Sequence, residues 1–288
     1  MSITKINTKE NIFGDNIAFV EEWDFSQANT SEENRILAIT QVASICYQSP
    51  KALGSETLYN RLMAESMGLP SSSFEFVPVL LDFKNPMHME LLQKEYSNVK
   101  KFGELVEDGK YLLTNYRAIV YDFENDKDGY SFDIRQIYNT LDEAEIIRKN
   151  FHVFLYKVDL PTRSQMVRHR INWQELSRRY VSGKRVPFDF YISEKMIPIT
   201  TGDYDTQKII DLCVEHYMNA IDAGVKPQEA RRIIPQAAYS QIWGAFMPTQ
   251  LANYFKLRLD EHAQWEIRKT AEAMKELIQK PLKQEDTL

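Results

Sequence analysis

The sequence predicts one α+β domain spanning residues 1–288, with a mixed or antiparallel sheet flanked by helices. Three observations carry this expectation. Strand-like apolar runs lie at 74–83, 111–123 and 151–160, in the first part of the chain. Helix-length amphipathic runs dominate after residue 186. Strands therefore precede most helices instead of alternating with them, which separates α+β from wound α/β architectures.

Residues 1–28 read as an irregular lead-in with one strand. TSEE at 30–33 is a capping-box pattern, with Thr30 and Glu33 satisfying free backbone N–H groups at a helix start. Ile36, Leu37, Ala43 and Ile45 give that helix an apolar stripe. A second helix is expected over 56–67, stopped by Gly68 and Pro70. FEFVPVLLDF (74–83) reads as a strand whose Pro78 favours an edge or a bulge. Residues 84–110 are charged and partly helical, and YLLTNYRAIVYDF (111–123) reads as a strand. LDEAEIIRKN (141–150) reads as a short helix, and FHVFLYKVDL (151–160) alternates as a half-buried strand does. Pro161 suits the first turn of a helix that leads into a charged stretch. Helices are then expected over 205–223, ending at Gly224, over 227–234, ending at Pro235, and over 249–279 as one long element.

Composition narrows the function classes. At 43% hydrophobic and 12% aromatic, the chain can bury a sizeable core. It has no run of 18 apolar residues, so no transmembrane helix is expected. The opening MSITKINTKENIFGDN lacks the apolar block of a signal peptide. Two cysteines, Cys46 and Cys213, cannot build a disulfide framework, so a reducing cytoplasmic setting is expected. A pI near 5.5 argues against general nucleic-acid binding. His216 and Cys213 lie three apart on one helix, but two ligands do not make a metal site, and no metal is expected.

Against this acidic background, with a formal net charge of −6, VRHRINWQELSRRYVSGKR (167–185) holds six cations and one acid. If 163–180 were a single helix, Gln165, Arg168, Asn172, Glu175 and Arg179 would share one face. Arginines suit phosphate because the planar guanidinium donates in pairs. The bland alternative is a solvated face with internal ion pairs. The local excess of charge favours a bound anion, since like charges repel unless an anion sits among them.

RHR, a short spacer and ELSRRY resemble the signature of the flavin-dependent thymidylate synthases. ICYQS (45–49), SSSFEF (71–76), EARRIIPQ (229–236) and LANYFKLRLDEHAQWEIR (251–268) resemble other segments of that family in the same order, so the resemblance covers about half of the chain. It implies a thymidylate synthase complementing protein-like fold and a homotetramer with active sites between subunits. It also implies flavin-dependent C5 methylation of dUMP to dTMP. FAD would be the cofactor, methylenetetrahydrofolate the carbon donor and NADPH the reductant. Gln165, Arg168, Glu175, Leu176, Ser177, Arg178 and Arg179 match the nucleotide-binding positions, as do Arg231 and Arg258. Of these, Arg258, Ser177 and Glu175 are the catalytic candidates, with Arg258 near the pyrimidine and Ser177 and Arg179 on phosphate. Arg168, His169, Arg170 and Ile171 match the flavin-contacting run, and Cys46, Ser72, Glu75 and Asn253 match further flavin positions. Taken alone, Cys46 reads more often as core, and Glu75 and Asn253 as surface; Trp243, Trp265, Phe246 and Phe255 read as core, and His262 as a packing or capping residue.

Four departures from the family pattern stand out. The spacer between RHR and Ser177 has six residues where seven are usual, which would turn a continuous helix by about 100°. Phe76 stands where a histidine is usual, and GLPSSSFEF lacks the usual upstream histidine. MPT (247–249) replaces an Asn-x-Arg before Asn253. TNYRA (114–118) supplies one elsewhere, so Asn115 and Arg117 are either a relocated flavin contact or exposed strand residues. Residues 84–150 form an enlarged insertion between strands, able to cover the pocket or alter subunit packing. These departures keep two alternatives open: a flavin-dependent methylase or hydroxymethylase of another pyrimidine nucleotide, and an inactive nucleotide-binding homologue.

Overall fold

A computed structural model describes residues 3–64, 69–95 and 97–279. The lead-in carries two strands, β1 (Thr4–Glu10) and β2 (Phe19–Asp24), instead of the one expected. Helix α1 (Glu32–Tyr47) starts one residue later than TSEE suggests. The Ser31 hydroxyl accepts from the Asn34 N–H, while Thr30 donates its hydroxyl to the Gln27 carbonyl and is not available as the cap. Helix α2 (Glu56–Met63) is capped by Ser55 and ends short of the expected 67, with Ala64 in a turn; residues 65–68, with the expected stop at Gly68, lie outside the described residues.

FEF belongs to a short 3-10 turn, and strand β3 is confined to Pro78–Asp82. Its place at the edge of its sheet agrees with a proline that has no N–H to donate. The 84–150 segment then builds α3 (Pro86–Gln93), α4 (Asn98–Lys101), β4 (Glu104–Val106), β5 (Tyr111–Asn115), α5 (Tyr116–Asn125) and α6 (Leu141–Asn150). The expected strand over 111–123 is therefore half strand and half helix. Asn115 ends the strand and accepts the Ala118 N–H as helix cap. Tyr116, Ile119 and Val120 then recur at helical spacing and are buried. Helix α6 agrees with the short helix expected over 141–150 and is opened by a full capping box between Thr140 and Glu143.

Strand β6 (His152–Asp159) runs into α7 (Leu160–Met166), which Asp159 caps and Pro161 opens. Past it lie β7 (Asn172–Glu175), the hairpin of β8 (Thr200–Thr201) and β9 (Tyr204–Asp205), α8 (Thr206–Asp222) and α9 (Pro227–Ala230). Strand β10 (Tyr239–Phe246) had no sequence expectation. The long helix expected over 249–279 is two, α10 (Pro248–Arg258) and α11 (Trp265–Gln279). They are separated by a turn in which Asp260 accepts the His262 N–H at 2.9 Å.

Among the described residues the larger sheet has the order β1-β2-β6-β10-β7, antiparallel throughout. A smaller sheet has the order β3-β5-β4. The central strand β6 is buried on both faces, not half-buried as its alternation suggests. Val153 and Leu155 enter a core shared with α1, α5 and the small sheet. Phe154, Tyr156 and Val158 enter a second core under α10 and α11. Strand β10 divides in the same way, Trp243 and Ala245 to one side and Ile242 and Phe246 to the other.

Strand β7 is polar, so its partner has to recruit it. Gly244 of β10 pairs with Trp173, and a Cβ on Gly244 would lie 2.5 Å from Trp173 Cζ3. The missing side chain is the seat of the indole, which also meets Phe246 edge-on at 5.7 Å. Gly244→Ala is expected to lower stability by about 1–3 kcal/mol, the range for overpacking, and to shift tryptophan emission. An unchanged unfolding midpoint would mean that the indole moves aside freely.

Candidate functional site

The RHR run sits in the turn between α7 and β7. His169 donates its N–H to the Met166 carbonyl at 3.0 Å, and Ile171 donates to the His169 carbonyl at 3.0 Å. The backbone is then drawn into the ladder with β10, from Asn172 opposite Ala245 to Glu175 opposite Ile242. This overturns the single helix considered for 163–180: Gln165 lies on α7, Asn172 and Glu175 on a strand, and Arg179 beyond it. The six-residue spacer is a turn residue, four ladder residues and Leu176, so no helical rotation arises from its length.

The turn presents His169 to Arg258 at the end of α10. The Arg258 Nε–H donates to His169 Nε2 at 2.8 Å, and its Nη2 donates to the Gln165 carbonyl at 2.9 Å. His169 is buried and its ring centroid lies 4.7 Å from that of Tyr254. The Trp173 indole N–H donates to the His169 carbonyl at 3.0 Å, so the packing of β7 on Gly244 reaches this pair. Because Nε2 accepts, the imidazole is neutral with its proton on Nδ1. Burial, and then the adjacent Arg258 charge, hold its pKa below the ordinary 6.5. Burial also lowers that of Arg258, and Arg168 is near enough for its charge to add to the effect. The guanidinium is thus held at two points, by His169 and by the Gln165 carbonyl. Gln165 is held from the other side, donating to Gln264 at 2.6 Å.

The remaining cations divide by use. Arg178 donates to the Val186 and Pro187 carbonyls and lies 4.2 Å over the Phe188 ring, so it secures the loop after β7. Arg163 pairs with Glu175, Lys184 with Asp222, and Arg185 donates to Gln48 and Ser49. Arg168, Arg170 and Arg231 are exposed and make no side-chain hydrogen bond or ion pair with the described residues. Arg179 is exposed and has one long bond, 3.4 Å to Gln228. Leu176 is buried and its N–H donates to the Gln241 carbonyl, while Ser177 donates its N–H to the Cys46 carbonyl at 3.1 Å.

A cleft of about 810 Å³ opens between the 84–150 segment and the RHR turn. It gathers Glu75, Asn115, Arg117, Arg170 and Ile171, five of the flavin candidates. Arg117 pairs with the Glu75 carboxylate, donates to the Pro70 carbonyl at 3.0 Å, and donates to the Tyr121 hydroxyl at 3.1 Å. The Asn-x-Arg of TNYRA thus sits at a strand-to-helix junction facing the cleft, not along a strand; Asn115 spends its side-chain oxygen on the helix cap. Asn172 donates to the Glu75 carbonyl at 3.0 Å and ties the cleft wall to β7. Cys46 and Ser72 do not line the cleft but meet through Gln174, which accepts from the Ser72 hydroxyl and donates to Cys46 Sγ at 3.0 Å. Asn253 is exposed on α10 and does not line the cleft. His262 is exposed in the turn before α11 and pairs with Asp260.

Lys101, Phe102 and Tyr121 also line the cleft, and Gln174 bridges behind it; none had been singled out from sequence. Tyr121 lies four residues after Arg117, a spacing that becomes informative only once 116–125 is read as helix. Lys101 and Phe102 carried no signal within a charged stretch. The cleft falls in the usual size range for small-molecule sites. With Lys101 and Arg170 lacking ion-pair partners and two aromatic rings in its wall, it fits a phosphorylated aromatic cofactor.

Residues 140–282 match the family model described as thymidylate synthase complementing protein. A flavin-dependent thymidylate synthase of Thermotoga neapolitana is 29% identical over 44% of this chain and 61% of its own length. One of Aquifex aeolicus is 27% identical over 66% of this chain and 63% of its own length. The chain thus spans less than two thirds of either relative. A solved structure of a UMP/dUMP methylase PolB from Streptomyces cacaoi, bound with 5-Br UMP, is 22% identical and covers 44% of this chain and 67% of that chain, with a TM-score of 0.37.

The His169–Arg258 contact has a pH signature. A lowered folded-state pKa means that the folded protein binds this proton less readily than the unfolded chain. The stability it contributes is present above 6.5 and is lost as pH falls below that value. Wild type is expected to lose thermal midpoint relative to His169→Gln between about pH 7 and about pH 5. Parallel midpoints across that range would remove the imidazole from this linkage.

Proposed function

Because the chain belongs to the thymidylate synthase complementing protein family through residues 140–282, we propose that it catalyses flavin-dependent C5 methylation of dUMP to dTMP. Methylenetetrahydrofolate is the carbon donor and NADPH the reductant. The observation that carries this reading is the Arg258 guanidinium, held by His169 and the Gln165 carbonyl. Methylation at C5 builds electron density on the uracil ring, and a fixed cation stabilises that charge without reorganising. Arg258 takes this role, with Ser177 and Arg179 on the phosphate. Glu175, held by Arg163 at the end of β7, is placed to accept from the base or sugar.

FAD is assigned to the cleft, where Glu75, Arg117, Arg170 and Ile171 would hold it; bound there, it would supply the hydride. Cys46 and Ser72, joined through Gln174, support the wall behind it. Neither cysteine is needed as a nucleophile. Residues 1–288 are read as a single domain, supported by the core that both sheets share. No helix among the described residues is long and apolar enough to cross a membrane, and a cytoplasmic homotetramer is the proposed form.

Purified protein supplied with FAD, NADPH, methylenetetrahydrofolate and dUMP is expected to yield dTMP. No dTMP under reducing conditions would overturn the reading, and turnover of UMP or dCMP alone would correct its substrate. The division of the arginines gives a sharper test. Arg179→Ala is expected to weaken dUMP binding more than about tenfold, as loss of a charge-assisted hydrogen bond does, with little change in thermal midpoint. Arg178→Ala is expected chiefly to lower the midpoint, because it frees the 186–188 loop. The reverse pattern would mean that the two roles are exchanged.

A further inference from the structure

The loop after β7 carries Ser177 and Arg179, and it has no helix or strand of its own to hold them. Residues 177–186 form two successive turns. The Ser177 carbonyl accepts the N–H groups of Tyr180 at 3.1 Å and Val181 at 2.9 Å, and the Ser182 carbonyl accepts those of Arg185 at 3.1 Å and Val186 at 3.0 Å. The joint between the turns is Ser182–Gly183, and α8 reaches the loop there. The Gly183 N–H donates to the Tyr217 hydroxyl at 2.9 Å. Tyr217 is 1% exposed, and its ring meets that of Phe188 edge-on at 5.0 Å. A Cβ on Gly183 would lie 2.6 Å from Phe188 Cε2 and 2.9 Å from Tyr217 Cε1, so only glycine allows this approach.

Other contacts of the loop hold it less firmly to α8. Lys184 pairs with Asp222, but both side chains are largely exposed, and such pairs contribute little. Arg178 lies over the Phe188 ring and donates to the Val186 and Pro187 carbonyls, so it closes the loop on itself. Helix α8 runs on through Gly224 to α9, where Gln228 accepts from Arg179 at 3.4 Å, and Arg231 follows three residues later. Arg179 and Arg231 carry like charge, and neither has an ion-pair partner among the described residues. Like charges cannot hold one another in place. The Gly183–Tyr217 bond can, because it is neutral and buried, and breaking it would leave a donor without a partner.

We propose that Tyr217 is a positioning residue for nucleotide binding: through the Gly183 N–H it holds the 177–186 turns against α8 and so sets Ser177 and Arg179 at the spacing a 5′-phosphate requires. This rests on the reading of those two side chains as the phosphate contacts. Tyr217 touches no substrate and acts only through the backbone of the loop. A guanidinium on an anchored turn meets phosphate with little ordering left to do, whereas one on a loose turn has to be ordered by the ligand. The effect is confined to the phosphate end of the nucleotide and leaves the uracil ring to Arg258.

A nucleoside without phosphate is the discriminating probe. FAD-replete protein is titrated with dUMP and with 2′-deoxyuridine, at a temperature well below the thermal midpoint. Tyr217→Phe keeps the ring and its packing and removes only the acceptor. It is expected to weaken dUMP binding about five- to tenfold, the scale of one neutral hydrogen bond. Deoxyuridine affinity and kcat at saturating dUMP are expected to stay at wild-type values. Gly183→Ala crowds the same joint from the loop side and is expected to give the same selective loss. Lys184→Ala frees only the exposed pair to Asp222 and is expected to keep both affinities. Equal weakening of dUMP and deoxyuridine would overturn the proposal, since the hydroxyl would then serve general stability alone. So would unchanged dUMP affinity in Tyr217→Phe, or a loss in Lys184→Ala as large as that in Tyr217→Phe. Wild-type protein that binds dUMP no better than deoxyuridine would instead overturn the assignment of Ser177 and Arg179 to a phosphate, a separate failure visible before any variant is made.

Discussion

The position of the cleft wall depends on one buried cation. Arg35 of α1 is 2% exposed, and its guanidinium is met by oxygens and ring faces. It donates to Asn29 Oδ1 at 2.6 and 3.0 Å, and to the carbonyls of Arg135 and Ile137 at 3.1 Å each. Tyr116 lies 3.8 Å below it and Tyr138 4.6 Å away. A buried charge is costly unless its surroundings replace water's hydrogen bonds. The cage therefore has to be complete, and completing it brings together chain segments some hundred residues apart. Asn139 extends the network, accepting from Asn29 and donating to the Leu80 carbonyl of β3. Both ends of the 84–150 segment are thus pinned to α1 and its lead-in. Tyr116, under the guanidinium, is the residue before Arg117, so the charge that fixes α1 also fixes the helix facing the cleft.

Helix α1 carries this order to the other side of the molecule. Its far end delivers Cys46, whose carbonyl accepts from Ser177 and whose sulfur accepts from Gln174. Strand β7, the RHR turn and Arg258 follow through Trp173 and His169. The cleft wall and the His169–Arg258 contact therefore belong to one packed unit, joined through the short polar strand β7.

What was legible in the sequence was whatever local chemistry decides. Helix α6 is legible in LDEAEIIRKN, α7 announces itself through Pro161, and the end of α8 through Gly224. The motif segments were visible because they are contiguous. Strand β10 was missed because its meaning lies in its neighbours: Gly244 weakens the strand pattern in isolation and makes sense only under Trp173. Strand β7 is polar and exists because β10 offers it a ladder. The join between α10 and α11 was hidden because apolar spacing continues across a turn set by the Asp260 side chain. Residues 116–123 read as a continuation of the strand because Tyr, Ile and Val suit strands, but the cap that Asn115 provides turns them into helix. The charge run was read correctly as unusual, but much of it secures loops, with Arg178 and Arg185 donating to backbone carbonyls. Lys101 carries no signal in sequence, since only folding brings it into the lining of the same cleft as Arg170.

The Glu104 carboxylate of β4 joins that strand to α10, accepting the Thr249 N–H at 2.9 Å and its hydroxyl at 2.6 Å. It occupies the first turn of α10, where exposed backbone N–H groups and the helix dipole would otherwise welcome negative charge. The chain thus fills its own nearest backbone anion seat with a carboxylate. An anion entering the cleft would therefore meet side chains and not the α10 helix end, and side chains can be exchanged one at a time by mutation whereas a helix end cannot. Charge preference in the cleft is thereby set by replaceable residues, and the ligand it favours can change without altering the fold that holds it.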